Sequence, residues 1–352
     1  MTSEANGSII VLKYKVLPSQ GSKQTTSIFP VHESSKLAHS SQEHQLGASA
    51  MTIVVFGSIN MDIVTACERH PLIGETVLGN SVAFHPGGKG ANQAIAAARC
   101  AGKSVLIGSV GADDFGTRML AYLQDNDVDI SGVMVESGSS TGVAIIAVDK
   151  QGNNTIVVTP GANALAKAPA HLPGAVDGPV IALAQLETPV AEIVRLFATV
   201  RHSGGTTILN PSPYQPLPQE LLQNTSLMIS NEHEFAEITG KPASDKPQDI
   251  TAHLSSADLP LPCCIITLGA QGCILGGRER TPLHIHGHKV EALDTTGAGD
   301  CFAGWFAAEL AAGRTVEDAA RRANAAAALS VTRAGASPSM PTKSEVENLL
   351  RR

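Results

Sequence analysis

A carboxylate set beside a glycine-rich turn is the feature of this chain best suited to chemistry. Leu293-Asp294-Thr295-Thr296-Gly297-Ala298-Gly299-Asp300 runs directly into Cys301-Phe302-Ala303-Gly304-Trp305-Phe306, an apolar stretch predicted to continue as a helix to about Ala312. Such a turn presents unpaired backbone N–H groups at a helix N-terminus, where the macrodipole also favours negative charge. Gly297 and Gly299 lack the Cβ that would keep the backbone from closing around an anion. Asp300 repels that anion unless it orients a hydroxyl, or handles a proton, next to it. Phosphoryl transfer to an alcohol uses both parts: a cradle for the moving group and a carboxylate on the incoming oxygen. The same string also fits an ordinary turn with an Asp in the first helical turn. The motif therefore needs partners elsewhere in the chain.

Candidate partners stand at the ends of predicted strands. The continuous apolar run Ile53 to Ile59 reads as a buried parallel strand extending to Asn60, which places Asn60 and Asp62 at its carboxyl end. In open α/β sheets the ligand crevice lies there, so both groups are placed to meet a polyol, although both also suit turn capping. Pro86-Gly87-Gly88-Lys89-Gly90-Ala91-Asn92-Gln93-Ala94 is a second glycine-rich turn feeding a helix of small residues. It lacks the Gly-Lys-Ser/Thr ending of a Walker loop, and Asn92 offers both donor and acceptor, so a sugar hydroxyl suits it as well as a phosphate. Glu187 closes the apolar run Val180 to Leu186, Asn231-Glu232-His233-Glu234 follows Leu227 to Ser230, and Thr267-Leu268-Gly269-Ala270-Gln271-Gly272 follows Cys264.

The elements that carry these groups alternate strand and helix. Strands are predicted at Val105 to Val110, Thr207 to Asn210, Leu227 to Ser230 and Cys264 to Leu268. Helices are predicted at Asp114 to Asp125, Pro189 to His202 and, as the last, Val316 to Leu329. This order implies an α/β fold with a doubly wound, mostly parallel sheet flanked by helices. Segments at about 63–84 and 141–158 instead read as short antiparallel strands, the second a hairpin with the polar tip Asp149 to Asn154. Together they predict a small β-sheet lid over the site, whose exposed edges favour pairing with a second copy.

Composition bounds the function classes. With 352 residues, 43% hydrophobic but only 3% aromatic, the core must be filled by Ala, Val, Ile and Leu. A net charge of −7 argues against a nucleic-acid surface or a polybasic membrane anchor, and no apolar run approaches the length of a membrane span. The six cysteines form no C-x-x-C pair and read as reduced thiols of a cytoplasmic protein. Residues 1–50 are Ser- and Thr-rich, carry no Arg and show little apolar periodicity, which predicts a disordered extension or a start read too early, with the folded domain at 51–352.

Taken together, Asn60-Met61-Asp62, Gly87-Gly88-Lys89-Gly90-Ala91-Asn92-Gln93-Ala94, Asn231-Glu232-His233-Glu234 and Asp294 to Asp300 resemble the ribokinase-like (phosphofructokinase-B) family of sugar kinases, from about residue 52 onward. The resemblance implies ATP-dependent phosphorylation of D-ribose at O5, with deoxyribose, fructose or a nucleoside as alternative acceptors and a catalytically silent sugar binder as the rival class. It implies Asp300 as catalytic base and the amides of Gly297, Ala298 and Gly299 as anion hole. Asn60, Asp62, Gly88, Lys89, Asn92 and Glu187 would line the sugar pocket. Asn231, Thr267, Gly269, Gly272, Gly299 and Asn324 would meet the nucleotide, and Glu234 would position Mg2+ through water. Asp294, Thr296, Ser330, Arg333, Gly335 and Ser339 match a K+ site built mostly of backbone carbonyls. Cys301 stands where a hydroxyl or another small residue is usual in the family. A homodimer through the lid is also implied. Lys89, His233 and Arg333 retain an ordinary reading as solvated side chains, Arg333 with a carbonyl contact as its functional alternative.

Overall fold

A computed structural model of the chain describes residues 51–172, 179–256, 262–278 and 280–351. The expectation for residues 1–50 lies outside the described residues.

The chain opens with β1 (Thr52–Phe56), then leaves the main sheet for β2 (Asn60–Cys67) and β3 (Gly79–Gly87). It returns through α1 (Lys89–Ala101), β4 (Ser104–Gly111), α2 (Asp114–Gln124) and β5 (Val128–Glu136). A hairpin of β6 (Gly142–Val148) and β7 (Asn154–Thr159) follows, and then the second half of the sheet. That half comprises β8 (Val180–Gln185), α3 (Val190–His202), β9 (Thr206–Asn210), α4 (Gln219–Gln223), β10 (Leu227–Asn231), α5 (Glu232–Thr239), α6 (Pro247–Ser256) and β11 (Cys264–Thr267). The strands β12 (Gly272–Gly277) and β13 (Arg280–His286) and the helices α7 (Ala298–Ala311), α8 (Val316–Ser330) and α9 (Lys343–Leu350) complete it.

Nine strands form the main sheet in the order β13-β12-β11-β10-β9-β8-β1-β4-β5. All neighbours from β11 to β5 pair in parallel, and β12 and β13 add an antiparallel edge. Because side chains alternate across a strand, Ile53 and Val55 face a core shared with α1, α7 and α8, while Val54 and Phe56 face one shared with α3. The strand order reverses at β1, the place where a doubly wound sheet opens a crevice at its carboxyl ends. The helices α1 and α7 cross there at close range. A Cβ on Gly304 would sit 2.3 Å from the Gln93 carbonyl oxygen, so only glycine permits that approach.

The lid segments form a separate four-stranded sheet in the order β3-β2-β6-β7. Here the first expectation is corrected. The apolar run does not continue as one strand to Asn60. It ends at Phe56, and Asn60 and Asp62 begin β2 of the small sheet. Gly57, which follows Phe56, runs so close to its neighbours that a Cβ there would lie 2.0 Å from the Gln185 Oε1 and 2.7 Å from the Gly90 Cα, so only glycine fits. The strands β5, β12 and β13 were not anticipated. Nor is Val316–Ser330 the last helix: α9 follows, opened by a capping box of Thr342 and Glu345 that the Ser/Thr-x-x-Glu spacing does advertise.

Candidate active site

The site is built where α1 and α7 begin, against the ends of β1, β8, β9 and β10. Gly297, with φ 73°, turns the chain into α7, and the first turn of that helix carries Asp300, which is 8% exposed. Both oxygens of its carboxylate accept amide hydrogens from α1. Asn92 Nδ2 donates to Oδ2 at 3.0 Å and Gln93 Nε2 to Oδ1 at 2.9 Å. The Asn92 Oδ1 is buried and has no hydrogen-bond partner among the described residues. A sugar hydroxyl is the kind of donor that such an acceptor requires.

Around this carboxylate the structure gathers the other sugar-pocket candidates. Gly88 adopts φ 91° at the start of α1, and a Cβ on it would lie 2.7 Å from both the Ser58 carbonyl oxygen and the Asn60 nitrogen. The Asp62 carboxyl packs on Gly87, where a Cβ would meet both its oxygens at 2.4 Å. Glu187 accepts a short hydrogen bond from the Ser58 hydroxyl and faces the Lys89 amide at 3.5 Å. Burial, then the charge of Glu187, then that of Asp300, push the Asp62 carboxyl up to about 7. Lys89 departs from its solvated reading: it is half-buried in the crevice. Burial works against its charge, but Asp300, Glu187 and Glu234 outweigh that and raise its pKa.

Sequence reasoning assigned no role to several groups that complete this layer. Asn163, in a short 3-10 turn after β7, accepts from the Ile59 amide at 2.9 Å and donates to Asn60 Oδ1 at 2.7 Å. That contact leaves the Asn60 amide nitrogen as the group Asn60 offers to a ligand. The buried Gln93 and Gln185 and the half-buried Asn210 form an amide cluster beside Asp300. Gln93 was visible as a polar residue inside a helix of alanines, but its partners are remote in sequence.

A cleft of about 160 Å³ continues from the Asp300 carboxylate, lined by Lys89, Asn210, Ser212, Ser230, Asn231, Glu234, Thr267 and Gly297 to Gly299. One expected member of the anion hole is altered. The Ala298 amide donates to the Thr295 carbonyl at 3.2 Å and the Cys301 amide to that of Gly297 at 2.8 Å, which leaves the Gly297, Gly299 and Asp300 amides for an anion. Asn231 and Glu234 hold one another in a capping box at the start of α5. Burial raises the Glu234 pKa, against the Asn231 amide, the Ser212 hydroxyl and Lys89.

Beyond the cleft lies a cavity of about 440 Å³ between the β13 end and α8. Thr267, Gly269, Gly272, Gly299 and Asn324 all line it, together with Phe302, Ala327 and Val331. Asn324 Nδ2 donates to the His286 carbonyl at 2.8 Å, tying α8 to β13. On the opposite side of Asp300, a cavity of about 380 Å³ separates the lid residues Asp62, Val64 and His85 from Asp294, Thr296 and Gly335. The loop of 330–339 is drawn to Asp294. The Asp294 Oδ1 accepts from the Thr296 amide at 2.9 Å, Oδ2 accepts from the Gly335 amide at 2.8 Å, and the Asp294 amide donates to the Val331 carbonyl at 3.1 Å. The Ser330 hydroxyl donates to the Ala327 carbonyl of α8, the Ser339 hydroxyl donates to the Ala336 carbonyl, and Arg333 pairs with Glu345. Of the six candidates only Asp294 brings a carboxylate. His233 remains a surface side chain, 3.7 Å from Glu232.

Comparison with known proteins identifies the family. The pfkB family carbohydrate kinase pattern matches residues 50–343. A ribokinase of Bacillus subtilis is 38% identical over 306 residues, covering 85% of this chain and 99% of that protein. A ribokinase of Haemophilus influenzae is 35% identical over 307 residues, covering 85% and 98%. The solved structure of Arabidopsis thaliana ribokinase complexed with ribose and ATP superposes with a TM-score of 0.78 at 31% identity, covering 86% of this chain and 99% of that one. The chain belongs to the pfkB family of carbohydrate kinases.

Proposed function

We propose that this protein transfers the γ-phosphoryl group of ATP to the 5-hydroxyl of D-ribose, giving D-ribose 5-phosphate and ADP. The observation that carries the reading is the position of Asp300. Its carboxylate stands where a cleft rich in backbone amides meets a pocket of carboxylates and amides suited to a polyol. Asn60, Asp62, Gly88, Asn92 and Glu187 hold the sugar, with the orphaned Asn92 Oδ1 accepting one of its hydroxyls. The Arabidopsis relative, solved with ribose and ATP, supports that choice of substrates.

In the reaction O5 forms a bond to the γ-phosphorus while the bond from that phosphorus to the β,γ-bridging oxygen breaks, and ADP carries away the electron pair. Asp300 orients the hydroxyl and takes its proton as the new bond forms. The Gly297, Gly299 and Asp300 amides, with Lys89, stabilise the charge on the moving group. Most of the acceleration comes from this positioning and electrostatics, because the transition state is loose. Thr267, Gly269, Gly272 and Asn324 bind the nucleotide in the larger cavity.

Two cations fit the residues present. Glu234 is a buried carboxylate lining the same cleft as Asp300 and would hold a hydrated Mg2+, which would supply positive charge against the phosphates. The oxygen-only set of Asp294, Thr296, Ser330, Arg333, Gly335 and Ser339, the last four mainly through backbone carbonyls, suits K+ held beside the anion hole. The small sheet acts as a lid, with Asp62 on its inner face. Its other face exposes Val82, Phe84, Ile145 and Val157, which supports a homodimer through the lid. All six cysteines are unpaired and buried, which supports placement in the cytoplasm.

The test is turnover of a panel of ribose, deoxyribose, fructose and nucleosides with ATP, for the wild type and Asp300→Asn. Ribose should be preferred, and the variant should lose ~10²–10⁴-fold in kcat, the usual contribution of a positioned base. Turnover within about tenfold of wild type would remove Asp300 from the role.

A further inference from the structure

Behind Asp300 lies a chain of buried amides that the reaction as described does not use. Gln93 and Gln185 are both fully buried, on α1 and at the end of β8. Gln93 Nε2 spends one hydrogen on Asp300 Oδ1 and the other on Asn210 Oδ1, each at 2.9 Å. Gln93 Oε1 accepts from Gln185 Nε2 at 2.6 Å. Asn210 is fixed in turn, because its Nδ2 donates to the Ile229 carbonyl at 2.9 Å and so must present Oδ1 to Gln93. Only one orientation of the Gln93 amide satisfies all three contacts. Turned over, it would set its oxygen against the oxygens of Asp300 and Asn210, and its hydrogens against those of Gln185.

From this geometry we propose that Gln93 and Gln185 are positioning residues for phosphoryl transfer: Gln185 locks the Gln93 amide, which in turn fixes the plane of the Asp300 carboxylate. The inference rests on the proposed role of Asp300. The Gln185 Oε1 has no partner among the described residues, so the hydrogen bond from its Nε2 to Gln93 is the side-chain contact through which Gln185 acts on the site. Gln185 and Asn210 come from the strands β8 and β9, and Gln93 and Asp300 from the helices α1 and α7, so the lock closes only in the assembled fold. Without the Gln93 bond the Asp300 carboxylate is held by Asn92 alone and can swing about that bond, while the sugar still binds through the remaining pocket groups. The carboxylate would then rarely present its lone pair to O5.

Gln185→Met keeps the bulk and removes the donor. Its effect is read in a double-mutant cycle with Asp300→Asn, measuring kcat and the KM for ribose. In the wild-type background kcat should fall about 10- to 100-fold, the scale of a misplaced reacting group, with KM for ribose within about threefold. In the Asp300→Asn background the same change should alter the residual kcat by less than about twofold, since there is no base left to orient. An equal loss in both backgrounds, a loss confined to KM, or no loss would overturn the inference. If Gln185→Met does not fold, Gln93→Met supplies the same comparison. Should Asp300→Asn itself keep wild-type turnover, the role of Asp300 fails. A dead Asp300→Asn beside an unaffected Gln185→Met removes the amide lock alone.

Discussion

Replacing Asp62 by Asn separates what this residue costs the fold from what it gives the site. The Asp62 carboxyl titrates near 7 in the folded protein, against 3.8 for an ordinary aspartate, because it is buried and faces Glu187 and Asp300. The unfolded chain therefore gives up this proton near pH 4 and the folded chain near pH 7. Between those values the folded state binds more protons, so stability falls as pH rises across the window and levels off above it. At about 1.4 kcal/mol per pH unit the full penalty is on the order of 4 kcal/mol, of which about 3 falls between pH 5 and pH 8. Asn cannot titrate. The stability of the variant relative to wild type should therefore grow by about 3 kcal/mol from pH 5 to pH 8 in urea unfolding at constant ionic strength. Its affinity for ribose should drop about tenfold to 150-fold at pH 8 and above, where the Asp62 carboxyl is charged, since a hydrogen bond to a charged group contributes about 1.5–3 kcal/mol. Parallel stability–pH curves for the two proteins would refute the buried, carboxylate-crowded environment assigned to Asp62. An unchanged ribose affinity would remove it from the sugar pocket.

Three further outcomes are expected. Gly142→Ala should lower kcat/KM for ribose about 10- to 100-fold with little change in KM for ATP, because the added Cβ would lie 2.2 Å from both Asn163 Nδ2 and Asn60 Oδ1 and must displace the pair. An unaltered steady-state profile would show that the Asn163–Asn60 bond does not set the pocket. Initial rates should be higher in potassium than in sodium buffers of equal ionic strength, and equal rates would remove the cation site from the 294–296 and 330–339 loops. Sedimentation at micromolar concentration should give a dimer, and Phe84→Lys should shift it towards monomer; a wild-type monomer throughout would show that the exposed lid face has another use.

What the sequence determined by itself was local. The glycine turns before α1 and α7, the strand–helix alternation and the place of Glu187 just after β8 are properties of contiguous residues, and each appears in the fold where its string lies, whereas Asp62 falls at the start of β2 instead of closing β1. The lid strands were legible for the same reason, since alternation and a polar hairpin tip are written within a few residues. The tertiary structure decided whatever depends on close approach between distant segments. The run from Ile53 to Ile59 gives no sign that the chain must leave the sheet at Gly57. At Gly57 the chain passes so close to Gln185 and Gly90 that no Cβ fits, a constraint set by segments distant in sequence. Lys89 looks like a surface lysine until three carboxylates from other elements surround it. The bonds from Gln93 to Asp300, Asn210 and Gln185, and from Asn163 to Asn60, join residues about a hundred or more positions apart. A buried amide reveals its partner only once packing has removed the water that would otherwise satisfy it, and that packing is a property of the whole fold.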